Sequence, residues 1–148
     1  YKQSKCTERR IAKAAGRLTY AFANADVPKV TVVIGEAYGS AYVTMNSKSI
    51  GADIVYAWPD AKIGMMDAAA AVKIMYAEEI SASDKAAALI SEKAAEYEAL
   101  QSSAAAAAGR GYVDDIIKAD ETRQRVIAAF EMLFTKREGR PSRKHGTV

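Results

Sequence analysis

A five-residue stretch in the first third of the chain has the composition of an anion-binding turn. Tyr38-Gly39-Ser40-Ala41-Tyr42 places three of the smallest residues in a row, between a β-branched segment and a predicted helix. Small residues let a ligand approach the backbone, and the first N–H groups of a helix have no acceptor within it. Such donors stabilise negative charge on a reacting oxygen, as an oxyanion hole does. Taken alone, however, the residues favour a plain structural turn with Ser40 as the N-cap.

Other familiar catalytic arrangements find little support. One His and one Cys are too few for a zinc or other soft-metal site. The chain has neither a Gly-x-Ser-x-Gly elbow nor a glycine-rich phosphate loop followed by Lys. Ser40 as a nucleophile would need a nearby base, and the lone His145 lies near the C-terminus. Asp114 and Asp115 are adjacent, so their side chains point apart and we expect a solvated surface rather than a catalytic dyad.

Composition and charge narrow the class of protein. The 148 residues include 31 alanines and carry a net charge of +3, with the basic excess at the two ends. These ends lack aromatic residues for base stacking beyond Tyr1, so we expect no nucleic-acid partner. No run reaches about 18 apolar residues and no signal-peptide pattern opens the chain, so we expect no membrane insertion. A single Cys cannot form an internal disulfide, which favours a reducing, cytoplasmic compartment.

The elements that must position the turn alternate between strands and helices, which predicts an α/β fold. The β-branched run at 30–34 predicts a central strand, buried on both faces, just before the turn. The other predicted strands lie at 53–57 and 61–66, with a short strand or turn at 112–117, and helices are predicted at 7–25, 41–50, 68–79, 83–100, 104–108 and 120–136.

Two of the predicted helices have recognisable caps. Asp67 is a good N-cap for the helix at 68–79, and Asp120 for the helix at 120–136. The apolar side of this last helix is formed by Ile127, Phe130, Leu133 and Phe134.

Several motifs occur in an order that resembles one enzyme family. In chain order they are Val27-Pro28-Lys29-Val30-Thr31-Val32, Ala37-Tyr38-Gly39-Ser40-Ala41-Tyr42, Gly51-Ala52-Asp53, Tyr56-Ala57-Trp58-Pro59, Ile63-Gly64-Met65-Met66, Gly111-Tyr112-Val113-Asp114-Asp115-Ile116-Ile117, Thr122-Arg123, Lys136-Arg137, Arg140-Pro141 and Arg143-Lys144-His145-Gly146. Over about residues 15–148 the chain resembles the C-terminal half of the carboxyltransferase (beta-type) subunit of biotin-dependent acyl-CoA carboxylases and decarboxylases, of the propionyl-CoA and methylmalonyl-CoA type.

The resemblance implies a fold and a set of partners. The fold is a crotonase-like fold of ββα units. Residues 1–138 would form a partial C-terminal carboxyltransferase domain, incomplete at its N-terminus, and 139–148 a basic C-terminal tail. In the family an N-terminal carboxyltransferase domain holds the acyl-CoA substrate, and biotin arrives as carboxybiotin on a biotin carboxyl carrier protein. The complete enzyme is a homo-oligomer, a dimer or a trimer of dimers, and the tail is expected either to be solvated or to pack across the subunit interface.

The resemblance also assigns site residues. The backbone N–H groups of Ser40 and Ala41 would face the ureido oxygen of biotin, and Gly39, Tyr42 and Val43 would contribute to substrate binding. In this mechanism the ureido nitrogen takes the α-proton of the substrate, so no side-chain base is required. The scarcity of His and Cys agrees with such chemistry.

The sequence departs from the family pattern at four positions. Ser40 stands where Gly is usual, which a backbone role tolerates. Val43 stands where many members have Asp, which puts acyl selectivity in question. Asp67 and Ala70 replace glycines at the start of a helix, which changes how closely the backbone approaches biotin.

Two other interpretations remain open. One is a non-catalytic scaffold or pairing fragment, and the other is a different crotonase-fold enzyme acting on CoA thioesters. We also expect the strand at 30–34, without an upstream strand to cover its edge, to leave apolar surface exposed and to cause self-association or the need for a partner.

Overall fold

The computed structural model describes residues 5–139, with side chains from residue 10 onward. In this range the helices are α1 (Lys5–Asn24), α2 (Gly39–Thr44), α3 (Ala68–Met75), α4 (Ala77–Ala82), α5 (Ala86–Tyr97), α6 (Ala104–Gly109) and α7 (Thr122–Met132). The strands are β1 (Val30–Val33), β2 (Glu36–Tyr38), β3 (Ile54–Ala57), β4 (Lys62–Gly64) and β5 (Asp115–Ile116). A 3₁₀ turn spans Lys48–Ile50 and a π-helical turn spans Glu98–Ser102. The alternation of strand and helix agrees with the predicted α/β class.

The strands form two small parallel sheets. One has the order β1-β3-β5 and the other pairs β2 with β4. Consecutive strands therefore lie in different sheets, and each pair is followed by a helix: β1, β2 and α2, then β3, β4 and α3. This repeats a ββα unit twice. The register of the second sheet pairs Tyr38 with Gly64, which brings the segment after β4 to the start of α2.

The prediction that the strand at 30–34 is central is wrong for the part of the chain described. β1 lies at the edge of its sheet and β3 lies in the middle. Only Val33 of β1 is buried, and Ile34 is exposed, whereas Val55 and Ala57 of β3 are fully buried. A run of β-branched residues indicates strand propensity, but it does not indicate how many neighbouring strands are present.

Alanine-rich helices pack closely on the sheet. The larger core cluster contains Val55, Ala57 and Ile63 from the strands with Ala104 and Ala107 from α6. A side chain no larger than a methyl group lets the backbone of α6 lie near the strands. A second, smaller cluster contains Tyr56, Ile117 and Ala129. Among the described residues, no helix is long and apolar enough to cross a membrane.

Two predicted helices are shorter than expected. The helix predicted at 41–50 ends at Thr44, because Asn46 adopts a left-handed conformation with φ 66°. Asn46 is buried and makes two hydrogen bonds with Thr31. The Thr31 hydroxyl donates to the backbone carbonyl of Asn46 at 2.8 Å, and the side-chain amide of Asn46 donates to the same hydroxyl at 3.0 Å. The helix predicted at 68–79 divides after Met75, but its cap is confirmed: the Asp67 carboxylate accepts the N–H of Ala70 at 2.9 Å.

The last helix differs from its prediction in cap and orientation. Its N-cap is Glu121 rather than Asp120, and no side chain hydrogen bonds there. Its small residues face inward, since Ala129 is fully buried and Val126 packs beside it. Of the four side chains predicted to form its apolar side, Ile127, Phe130 and Phe134 are exposed, and Leu133 is partly buried. All of the predicted tail except Gly139 lies outside the described residues.

Candidate functional site

The predicted turn lies where β2 ends and α2 begins. Tyr38 is the N-cap, with extended backbone angles of φ −120° and ψ 143°, and its side chain makes no capping hydrogen bond. The first N–H groups of a helix have no acceptor within the helix. Ser40 and Ala41 are both exposed. Their backbone N–H groups are therefore adjacent and oriented alike in the first turn of the helix, at two exposed residues.

Gly39 determines the shape of this turn. Its φ is +59°, a conformation that residues with a Cβ rarely adopt. A Cβ on Gly39 would also lie 3.0 Å from the carbonyl oxygen of Met65, which is a backbone atom and cannot rotate away. Met65 directly follows β4, so the pairing of β2 with β4 fixes the position from which Ser40 and Ala41 donate.

A second layer supports β4 from behind. Lys62 in β4 forms an ion pair with Glu98 of the π-helical turn and a backbone bridge with Ser103. Ser102 of the same turn is fully buried, and its hydroxyl oxygen lies 3.4 Å from where a Cβ on Gly64 would be. This layer was not predicted, because the apolar periodicity there continues as in an ordinary helix.

The environment of Tyr38 disfavours ionisation of its hydroxyl. Burial raises the pKa of Tyr38, and the negative charges of Glu36 and Glu98 raise it further. The hydrogen bond with Glu98 similarly raises the pKa of Lys62. The groups behind the turn are therefore a neutral tyrosine and a paired lysine at neutral pH.

Tyr42 and Val43 point in different directions. The ring of Tyr42 packs against the core, and its hydroxyl oxygen is buried with no hydrogen-bond partner among the described residues. Burial, and after it Tyr112, raises the pKa of Tyr42. Val43 is exposed and lies one helical turn after Gly39, on the same side of α2. Substrate contact remains a prediction for both, and the exposed Val43 is better placed for it.

An open groove of about 370 Å³ adjoins the donors. It runs between β1, β2 and α2, and its lining includes Ile34, Tyr38, Ala41 and Met45. Because most of these side chains are apolar, a ligand that reaches the N–H groups would rest its nonpolar part on this surface.

Side-chain catalysis at Ser40 has no structural support. Within residues 10–139 its hydroxyl makes no hydrogen bond with a base, and its carbonyl accepts the Thr44 hydroxyl at 2.7 Å. The same range contains no cluster of three His, Cys, Asp or Glu residues suited to a metal ion.

The adjacent aspartates serve different contacts. Asp114 forms an ion pair with Lys48 at 2.6 Å and accepts the N–H of Val55 at 2.8 Å. Asp115 lies 3.7 Å from Arg125. Their roles are structural, and they do not form a dyad.

A buried ion pair joins two distant motifs. The Lys136 ammonium lies 2.8 Å from the Asp53 carboxylate, with side chains only 9% and 17% exposed. Asp53 also accepts the N–H of Lys29 at 2.7 Å. Burial alone would lower the pKa of Lys136, but hydrogen bonds with Asp53 and Glu138 outweigh it and raise that pKa. Both residues belong to motifs that carry the family resemblance. The sequence alone, however, does not indicate that two positions 83 residues apart form an ion pair.

Comparison with known proteins gives consistent matches. A family model described as the carboxyl transferase domain matches residues 4–148. The methylmalonyl-CoA carboxyltransferase 12S subunit of Propionibacterium freudenreichii subsp. shermanii is 43% identical over 136 residues, which are 92% of this chain and 26% of that protein. The methylmalonyl-CoA decarboxylase subunit alpha of Propionigenium modestum is 44% identical over 138 residues, 93% of this chain and 27% of that protein. The chain thus spans about a quarter of the length of these relatives.

Solved structures agree with the sequence matches. The crystal structure of transcarboxylase 12S, a hexamer with methylmalonyl-coenzyme A and methylmalonic acid bound, superposes with a TM-score of 0.90 at 40% identity, covering 99% of this chain and 28% of that one. The beta subunit of Pseudomonas aeruginosa geranyl-CoA carboxylase has the same fold, with a TM-score of 0.72 at 23% identity, covering 99% of this chain and 28% of that one.

Proposed function

The chain belongs to the carboxyl transferase domain family and has its crotonase-like fold, and on that premise we propose that it forms the biotin side of an acyl-CoA carboxyltransferase. The reaction is transfer of a carboxyl group between carboxybiotin and an acyl-CoA of the propionyl-CoA/methylmalonyl-CoA or acetyl-CoA class. Its relatives include a carboxyltransferase and a decarboxylase that act on methylmalonyl-CoA.

The observation that carries the proposal is the pair of adjacent backbone donors at two exposed residues, Ser40 and Ala41. They begin a helix that no side chain caps, behind a glycine whose positive φ and contact with Met65 exclude a side chain. An apolar groove adjoins them. A ligand with one electron-rich oxygen and a nonpolar ring and chain fits this combination, and the ureido group of biotin is such a ligand.

The residues of this chain act by stabilising charge. Carboxybiotin, when bound, would supply the carboxyl group and a ureido oxygen that can carry negative charge. The N–H groups of Ser40 and Ala41 would donate hydrogen bonds to that oxygen. Since Gly39 and Met65 hold them in place beforehand, little reorganisation is needed as the charge develops.

Binding to the donors can be tested on the chain itself. In ¹⁵N-labelled protein titrated with biotin, we expect the amide signals of Ser40 and Ala41 to shift most. Ala99, in the π-helical turn, is the internal reference and is expected to stay unchanged. A titration that moves signals elsewhere and leaves those of Ser40 and Ala41 in place contradicts the donor assignment.

The remaining partners follow from the same proposal. The acyl-CoA would be held by an N-terminal carboxyltransferase domain, and biotin would be delivered by a biotin carboxyl carrier protein. In the homo-oligomer the basic tail at 139–148 would cross the subunit interface. Deleting 139–148 is then expected to weaken oligomerisation of the assembled enzyme, measured by sedimentation. Unchanged assembly would leave the tail without that role.

A non-catalytic pairing role is the second candidate, and Asp67 favours it. This residue stands where the family pattern has glycine, and its carboxylate accepts the N–H of Ala70 at the start of α3. The N–H of Ala70 could otherwise donate to an external ligand, but here it is already hydrogen-bonded within the chain. Turnover of propionyl-CoA by the assembled enzyme separates the two roles, because a scaffold would give none.

A further inference from the structure

The helix α2, which carries the two donors, is short and has little buried surface. It spans six residues, Gly39–Thr44, and none of them is buried. Of its side chains, Tyr42 packs against the larger core cluster. A helix of this length is not stable by itself, so its position depends on contacts with the rest of the chain. At its N-terminal end, Gly39 lies against the carbonyl of Met65.

Thr31 and Asn46 join the C-terminal end of α2 to β1. Asn46 directly follows Met45, the C-cap of the helix. The Thr31 hydroxyl donates to the backbone carbonyl of Asn46 at 2.8 Å and accepts a hydrogen bond from its side-chain amide at 3.0 Å. Because side chains alternate along a strand, Thr31 lies on the same face of β1 as Val33 of the core cluster. A single hydroxyl on the core-facing side of β1 therefore makes two hydrogen bonds with the end of α2.

Asn46 adopts its conformation at a cost to stability. It is 4% exposed with φ 66°, and its side-chain oxygen has no hydrogen-bond partner among the described residues. An unpartnered buried polar atom and a left-handed backbone each disfavour the folded state. Glycine would adopt this backbone conformation without strain, but it has no side-chain amide to donate to Thr31. Asn46 thus provides a link between α2 and β1 that glycine could not.

We propose that Thr31 and Asn46 are positioning residues, which hold α2 against β1 so that the N–H groups of Ser40 and Ala41 keep a fixed direction beside the groove. Thr31, Ala41 and Met45 all line that groove, so a movement of α2 away from β1 would also change its width. The effect on turnover rests on the proposed function. The order of the two donors, however, can be measured in the chain without biotin.

Thr31→Val tests the link, because valine keeps the branched shape of threonine and removes both hydrogen bonds. In the full ¹⁵N-labelled chain, we expect the backbone order parameters of Ser40 and Ala41 to fall from about 0.85, the value of a rigid backbone, toward about 0.6. Thr31→Ser keeps the hydroxyl and should restore nearly native values. Asn46→Gly keeps the carbonyl acceptor but loses the amide, so an intermediate loss is expected.

Thr122→Val is the matched control. Thr122 is also half-buried, and its hydroxyl also makes two hydrogen bonds: it accepts the Nε1–H of Trp58 at 3.0 Å and donates to the carbonyl of Lys118 at 3.2 Å. Both valine variants should therefore lower the urea midpoint of unfolding to a similar extent. Thr122→Val should nevertheless leave the order parameters of the two donors native.

Three results would overturn the proposal. The first is a native order parameter for both donors in folded Thr31→Val. The second is an equal loss of order in Thr122→Val, because the effect would then follow from lower stability alone. The third applies if Thr31→Val does not fold: Asn46→Gly then carries the test, and native order parameters in that variant contradict the link.

Turnover of the assembled enzyme separates this inference from the proposed function. With the N-terminal carboxyltransferase domain supplied, Thr31→Val should lower kcat about tenfold and leave KM for propionyl-CoA unchanged, since a misplacement of about 1 Å can cost about a hundredfold in rate. Disordered donors with native turnover would support the positioning and contradict the role of Ser40 and Ala41 in the reaction. A lower kcat with ordered donors would contradict the positioning.

Discussion

The donor turn at Gly39, Ser40 and Ala41 and the anchor between Asp53 and Lys136 hold their positions by opposite means. In the turn, the chemistry resides in main-chain N–H groups, and side chains contribute mostly by being small or absent. In the anchor, two charged side chains join segments 83 residues apart. The difference teaches which substitutions each can accept. Ser40 and Ala41 should tolerate a change of side chain but not the loss of the backbone N–H, whereas Asp53 and Lys136 should be sensitive to a change of side chain.

Removing a main-chain donor should have the largest effect. Ala41→Pro deletes one N–H, and losing such a donor typically costs about 2.7–4 kcal/mol, or roughly a hundred- to thousandfold in rate. The assay is carboxyl transfer to propionyl-CoA with the N-terminal carboxyltransferase domain supplied. Ala87→Pro, in the first turn of α5, is the control for proline at a helix start. A folded Ala41→Pro enzyme with native turnover would refute the role of this donor.

Removing one charge from the anchor should affect stability instead. Lys136→Met leaves the Asp53 carboxylate buried without its cation, and we expect a loss of about 2–3 kcal/mol, somewhat below the range for fully buried pairs. Urea unfolding followed by circular dichroism measures it. Lys93→Met, which removes the more exposed pair with Glu96, should cost far less. Equal losses for the two variants would mean that the anchor is no stronger than a surface ion pair.

The anchor should also weaken at alkaline pH. The pKa of Lys136 is raised on folding, so its stabilising contribution is complete below the unfolded pKa of about 10.4 and disappears as pH rises through the folded pKa. The difference in unfolding free energy between native chain and Lys136→Met should be constant from neutral pH to about 10 and shrink above it. Lys136→Arg stays charged, so its unfolding free energy should exceed that of Lys136→Met by the same amount throughout this pH range. If the difference between the native chain and Lys136→Met already narrows between pH 7 and 9, the loss is not caused by titration of Lys136.

The smallest effect should come from changing a side chain in the turn. Ser40→Ala and Ser40→Gly keep the backbone N–H, so the assembled enzyme should retain most of its activity with either residue. A nucleophilic hydroxyl would instead give a large loss. If Ser40→Ala abolishes turnover while the fold survives, the chemistry belongs to the side chain and the contrast between turn and anchor fails.

The sequence predicted local features well and spatial relations poorly. The strand at β1, the Asp67 cap and the glycine turn were evident because each depends on neighbouring residues. The edge position of β1 was not, because strand propensity does not indicate how many strands lie beside it. Likewise, helical periodicity identified an apolar side of α7, but it could not show that Ala129 would face inward. Contacts between distant segments leave no trace in one sequence.

The candidate site residues came from the ordered family motifs rather than from local chemistry. Ser40 and Ala41 alone favoured a structural turn, and only their position among the other motifs suggested donors. The structure adds the reason for the glycine, which is the carbonyl of Met65. Nothing in the sequence relates Met65 to Gly39, because that contact depends on the pairing of two strands.

Because the donors at positions 40 and 41 belong to the main chain, side-chain mutagenesis does not remove them. In an alanine scan, Ser40→Ala would have almost no effect and Ala41 would not be changed at all. Gly39→Ala would have a large effect, but only because it changes the shape of the turn. A survey of natural variants would have the same weakness, because exchange of one small residue for another leaves the backbone N–H groups intact. Replacing single amide bonds by esters through chemical synthesis would address those atoms directly, one N–H at a time.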